Sequence, residues 1–126
     1  MFVNFTNHPS ASWSEKQLSA AKMYGEIVDI PFPLIPPTWK EARLDQLADE
    51  YSNEILSHHP AAVLCHGEST FAYRVISRLL QQNALVLGAC SERLVTETLL
   101  PDGKTTKTSV YDFKQFRSYG DMKNLT

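Results

Sequence analysis

Ala61-Ala62-Val63-Leu64-Cys65, followed directly by His66-Gly67-Glu68-Ser69-Thr70, joins an apolar run to a short polar turn. The run is strand-length and does not alternate, as expected of a parallel strand covered on both faces. From Glu68-Ser69 onward, Ala72, Val75, Ile76, Leu79 and Leu80 recur at helical spacing and mark one buried face. A strand, a small polar turn and a helix make the repeating unit of a parallel α/β sheet.

The same unit appears on either side. Upstream, Phe2-Val3-Asn4-Phe5 and Glu26-Ile27-Val28-Asp29-Ile30 are strand-length apolar runs, each followed by a helical segment. Ser12-Trp13-Ser14-Glu15 and Thr38-Trp39-Lys40-Glu41 have capping-box spacing and predict the two helix starts. Leu18 and Ala21 follow in the first helix, which Gly25 stops. Leu44, Leu47, Ala48, Tyr51 and Ile55 line the second, which ends near His58-His59-Pro60. Downstream, Ala84-Leu85-Val86-Leu87-Gly88-Ala89-Cys90 is a fourth strand ending at Cys90. Leu94–Leu99 and Thr106–Phe113 then flank Pro101-Asp102-Gly103-Lys104, whose Asp-Gly pair signals an antiparallel hairpin. The expected fold is a Rossmann-like α/β three-layer sandwich: a mostly parallel sheet of four strands plus a C-terminal β-hairpin. It forms one domain over residues 1–126, with a frayed tail from Gly120 onward.

Composition limits the function. At 126 residues, 43% hydrophobic and 21% charged, the chain is an ordinary globular domain. A net charge of −2 argues against coating DNA or other nucleic acid, which needs a basic excess, but not against one anionic ligand in a pocket. No run approaches the ~20 residues of a membrane span, and no signal peptide is expected, because Met1 to Phe5 lack a basic n-region and a long apolar run. Cys65 and Cys90 lie in apolar runs without metal-type spacing. They are expected to be buried thiols of a cytoplasmic protein. Four His and two Cys without tight spacing give no metal site, and no cofactor is expected. His58 and His59 are expected to be solvated helix-end residues.

In open α/β sheets ligands bind outside the carboxyl ends of the strands, where strand order reverses. That rule selects four short segments; Pro31-Phe32-Pro33 follows the second strand, and the other three are dense in polar groups. Asn7, His8 and Ser10 follow the first strand and precede a helix N-terminus, where anions are favoured. His66, Gly67, Glu68, Ser69 and Thr70 follow the third. Gly67 there would let the backbone approach a ligand, and Glu68 would repel phosphate unless it bound ribose hydroxyls. Ser91, Glu92 and Arg93 follow the fourth, with Arg93 able to clamp a phosphate bidentately. The turn after Cys65 lacks the Gly spacing and the Lys of a Walker loop, and Cys90 lacks the C-x5-R spacing of a phosphatase. Trp39 is expected in the core, whereas Trp13 could be core or could stack on a base.

Three stretches carry a family resemblance: Phe2 to Ser10, Val63 to Tyr73, and Ala89 to Arg93 with the Pro101-Asp102-Gly103 hairpin and Val110 to Tyr119. Through them the chain resembles the small single-domain accessory proteins of type III CRISPR systems, which look like isolated CARF (Rossmann-like) domains. The resemblance implies a homodimer that binds cyclic oligoadenylate, the second messenger of these systems. Some relatives cleave the ring, so a metal-independent ring nuclease is expected, acting at the strand ends across the dimer. His66, Ser91 and Arg93 are the expected catalytic residues. Asn7, His8, Ser10, Gly67, Glu68, Ser69, Thr70 and Glu92 are the expected binding residues. Sequestration without cleavage, a Rossmann-type enzyme acting on a mononucleotide, and an adaptor using Tyr111, Phe113, Phe116 and Tyr119 are the alternatives.

Overall fold

The computed structural model describes residues 1–120; the expected frayed tail lies, beyond Gly120, outside them. The elements are β1 (Phe2–Phe5), α1 (Glu15–Lys22), β2 (Ile27–Asp29), α2 (Glu41–Ser57), β3 (Ala62–Cys65), α3 (Ser69–Gln81), β4 (Val86–Leu99) and β5 (Thr105–Ser118). The sheet order is β2-β1-β3-β4-β5, with the first four strands parallel and β5 antiparallel to β4. This is the expected α/β fold with a mostly parallel sheet and a C-terminal hairpin.

Strand alternation divides the core into two layers. Val3, Phe5, Val63, Cys65 and Val86 face α2 and α3, packing with Leu44, Ala48, Ile55, Phe71, Val75 and Leu79. Phe2, Ala62, Leu64 and Leu87 face Ala21 of α1, joined by Trp13, Tyr24 and Phe116. β1 and β3 are buried along their whole length, which explains their lack of alternation. Arg74 and Arg78 of α3 tie α2 alongside, at 2.9 Å to Asp45 and 2.6 Å to Asp49. Trp39 packs against this core.

Three local expectations are corrected. The N-cap of α1 is Ser14, not Ser12: its hydroxyl accepts from the Gln17 N–H, while Ser12 closes a short 3-10 turn and donates to the Pro9 carbonyl. Helix α2 starts from Lys40 with no side-chain cap, because the Pro36 carbonyl turn ends at Trp39 and displaces Thr38 from the cap position. The fourth strand does not end at Cys90. It continues through Ser91, Glu92 and Arg93 to Leu99, paired with β5 throughout. Nothing between Cys90 and Leu100 breaks a strand, and a bulge at Cys90/Ser91 absorbs the one-residue mismatch between the two. The expected fourth strand and first hairpin arm are therefore one element.

Candidate functional site

Strand order reverses between β1 and β3, since β2 leaves β1 on one side and β3 returns on the other. The crevice above their carboxyl ends is bounded by Thr6 to Ser10 and by His66 to Thr70.

A buried polar network holds the first loop. Asn4, 1% exposed, donates through Nδ2 to the His8 carbonyl and to Asp29 Oδ1, both at 2.9 Å. Its Oδ1 accepts from the Thr6 hydroxyl at 2.8 Å. Trp13 Nε1 donates to the same His8 carbonyl at 3.1 Å. Ser10 gives its hydroxyl to Asp29 Oδ2 at 2.9 Å, and its N–H to the same carboxylate. Ser10 is thus engaged by the fold. The His8 backbone is fixed, while its side chain is exposed and makes no hydrogen bond among the described residues. Asn7 is exposed beside it. Asn4 and Asp29 escaped the sequence reasoning. Their signal is a polar residue inside each of two apolar runs, and the strands pair them directly.

The second loop also divides into engaged and free groups. Gly67 does not open space for a ligand: a methyl there would overlap the buried Phe32 ring, which occupies that space. The Glu68 carboxylate is the N-cap of α3. It accepts from the Phe71 N–H at 2.8 Å, the Thr70 N–H at 3.1 Å and the Thr70 hydroxyl at 2.7 Å. The Thr70 hydroxyl, followed by the Phe71 N–H, lowers the Glu68 pKa. This carboxylate itself occupies the anion-favouring N-terminus of α3. Ser69 is exposed.

His66 is the pivot. β3 pairs with β4 only at Val63–Val86 and Leu64–Leu87. One step further, the Ala89 N–H donates to His66 Nε2 at 2.8 Å, so the imidazole continues the ladder where the strand has ended. A ring nitrogen that accepts a backbone N–H carries no proton, so neutral His66 holds its proton on Nδ1. The residue is exposed overall, yet desolvation of the packed ring, and then the neighbouring His8, lower its pKa.

Two hollows meet at His66. The larger, ≈ 770 Å³, runs along α3 past Ser69, Tyr73, Ile76 and Leu80 to Tyr119. The smaller, ≈ 550 Å³, lies on the α1 side and is lined by His8, Trp13, Gln17, His66, Ser91 and Tyr111 among others. Among the described residues no Asp or Glu lines the smaller one. Ser91 therefore joins the histidines, although it sits within a strand and not in a strand-end loop. Glu92 and Arg93 do not. Glu92 lies 3.4 Å from the Lys114 ammonium, and Arg93 donates to the Ser109 hydroxyl at 3.0 Å, both on exposed ribbon. The continuous β4 carries them past the crevice.

Burial pushes the Cys65 thiol up to about 12, and neither Cys65 nor the half-buried Cys90 forms a disulfide. Among the described residues no three His, Cys, Asp or Glu are grouped to hold a metal, and no helix is long and apolar enough to cross a membrane.

Fold and crevice define the class: a doubly wound α/β domain of order 2-1-3-4-5 with a histidine-lined switch point. Within that class the chain belongs to the Uncharacterized protein MJ1673 family, whose model matches residues 1–117. No curated protein and no solved structure matches it.

Proposed function

We propose that this chain is a CARF-like accessory protein of type III CRISPR immunity that binds cyclic oligoadenylate and cleaves it without a metal. The observation that carries the reading is the convergence of His8, His66 and Ser91 on one carboxylate-free hollow at the β1/β3 switch point. A phosphodiester there meets neutral donors and no opposing carboxylate. The acidic groups nearest the loops, Asp29 and Glu68, are tied into the fold. A volume of ≈ 550 Å³ suits one nucleotide unit, so a symmetric ring engages two copies of the hollow across a homodimer. The unpaired thiols agree with a cytoplasmic location.

The chemistry is transesterification. A ribose 2′-oxygen attacks the adjacent phosphorus, forming the 2′-O–P bond as the P–O5′ bond breaks. The hydroxyl proton passes to the exposed His8 ring, and the 5′-oxygen leaves with a proton from water. His66 cannot take that proton while Nε2 holds the Ala89 N–H, so it donates Nδ1–H to a non-bridging oxygen. The Ser91 hydroxyl helps hold the phosphate in line.

The test is chromatography of cyclic tri-, tetra- and hexa-adenylate incubated with the purified protein in EDTA, beside a gel shift with the same ligands. Linear products, lost about 100-fold or more in His8→Ala, support cleavage. A shift without products makes the chain a sequestering protein. Neither signal, with turnover of a mononucleotide instead, overturns the cyclic oligoadenylate reading.

A further inference from the structure

Helix α3 carries two sets of polar residues that the fold treats differently. Thr70, Arg74 and Arg78 are all bonded, to Glu68, Asp45 and Asp49 respectively. Ser69, Tyr73, Ser77 and Gln81 stand at successive i+4 positions, so they share one face, and all four line the larger hollow of ≈ 770 Å³. None of their side chains is hydrogen-bonded among the described residues, nor is that of Asn83, which lines the same hollow. Beside them Ala72, Ile76 and Leu80 form a parallel i+4 row that gives the hollow an apolar floor. Tyr119 bounds the sheet side. Its N–H donates to the Val86 carbonyl at 2.9 Å, and its ring lies with that of His66 over Gly88. Tyr73 is 70% exposed and Tyr119 49%. Neither ring stacks on another among the described residues, whereas Tyr24 and Tyr51 pack on Phe2 and Phe5.

We infer that the larger hollow is a binding site for an uncharged planar nitrogen heterocycle of nucleobase size, free or as its nucleoside. The proposed function sets its phosphodiester in the smaller hollow, and the inference does not rest on it. Charge is the first argument. Among the described residues no Asp, Glu, Lys or Arg lines the larger hollow, so nothing there offsets the desolvation of a phosphate or carboxylate. His66, at its mouth, is neutral while its Nε2 accepts the Ala89 N–H. Shape is the second. The unstacked Tyr73 and Tyr119 rings offer faces on which a planar ring stacks, and the apolar floor takes its remaining surface. Hydrogen bonding is the third. The carboxamides of Gln81 and Asn83 each present a donor and an acceptor side by side, matching the paired edge of a nucleobase. An aliphatic ligand would leave that polar row unmatched. The volume lies within the ordinary range of small-molecule sites.

The test is saturation-transfer NMR of the full chain at pH 7.5 with adenosine, inosine and uridine, without cyclic oligoadenylate, followed by calorimetry of the strongest binder. The expected result is a Kd below about 1 mM for at least one of the three. Tyr73→Ala should weaken it about fivefold or more, and Tyr73→Phe, which keeps the ring face, should not. Tyr111→Ala, in the smaller hollow, should leave it unchanged. No binding tighter than about 1 mM overturns the inference. So does binding that Tyr73→Ala does not weaken or that Tyr111→Ala abolishes, and so does a nucleoside 5′-phosphate that binds about tenfold tighter than its nucleoside. If Tyr73→Ala does not fold by circular dichroism, intermolecular NOEs on the wild type decide. Contacts from the ligand ring to Tyr73 and Ile76 support the site, and their absence refutes it. A nucleoside bound here by a chain that binds no cyclic oligoadenylate refutes the proposed function alone, and the reverse result refutes this inference alone.

Discussion

His66 offers the sharpest test of how the crevice is built. Its Nε2 accepts the Ala89 N–H at 2.8 Å, so the neutral ring protonated on Nδ1 is the form that fits. Replacing it by Ala removes the acceptor and leaves that N–H to water. A net hydrogen bond contributes about 1 kcal/mol, with the surface location favouring the lower half of the usual range. For a domain of this size that is a fall of about 4 °C in Tm. Protonation breaks the same bond. Burial and His8 hold the folded pKa below the ordinary imidazole value of 6.5, so the unfolded chain takes the proton first. The stabilisation is complete above about pH 6.5 and is lost as pH falls from there through the folded value.

Two measurements check this. Imidazole nitrogen NMR at pH 7.5 should show the His66 proton on Nδ1, with a titration midpoint below that of an unhindered histidine. Melting between pH 7.5 and 5 should show a wild-type advantage over His66→Ala that shrinks with acid. A proton on Nε2, or a midpoint above 6.5, would refute both the ladder role and the assignment of His66 as a donor and not a base.

Gly67→Ala should destabilise by about 1–3 kcal/mol through overpacking against Phe32, and Phe32→Leu in the same chain should recover part of the loss in urea melts. Glu68→Ala should cost about 1 kcal/mol, the usual scale of an N-cap. The Glu68 pKa is lowered, so that difference should be full above about pH 4.5 and vanish in melts as pH falls through the folded value. Cys65, with its thiol near 12 and fully buried, should resist thiol reagents at pH 8 until the chain is unfolded; labelling by mass spectrometry at a rate matching Cys90 would contradict its burial.

The fold was legible because its signals are local. The unbroken apolar runs at β1 and β3 and the helical faces of α2 and α3 follow from residues within a few positions of one another. Only the starts of α1 and α2 and the far end of β4 differ, and each has a rival nearby. Ser12 and Ser14 are both competent caps, and the Pro36 turn takes Thr38 away from α2. Leu94, Val95 and Thr96 favour strand as strongly as the run before Cys90, so no local feature ends the strand there.

The candidate site was legible only in outline, because its chemistry depends on what each polar group has already bonded. Ser10, Gly67, Glu68 and Thr70 lie at the crevice as expected, yet Ser10 is held by Asp29, Gly67 by Phe32, and Glu68 and Thr70 by each other. The Ser10–Asp29 and Gly67–Phe32 contacts span different elements, so no spacing in the sequence announces them. His8 and Ser91 keep free side-chain donors or acceptors, and His66 keeps one ring nitrogen. These three line one wall of a hollow that two loops and a continuing strand assemble together. Engagement by the fold also gives the crevice its character. The carboxylates of Asp29 and Glu68 would oppose an anionic ligand if they were free. Bonded to Asn4 and Ser10 in one case, and to the start of α3 in the other, they stiffen the two loops and leave the lining to imidazole, hydroxyl and indole groups.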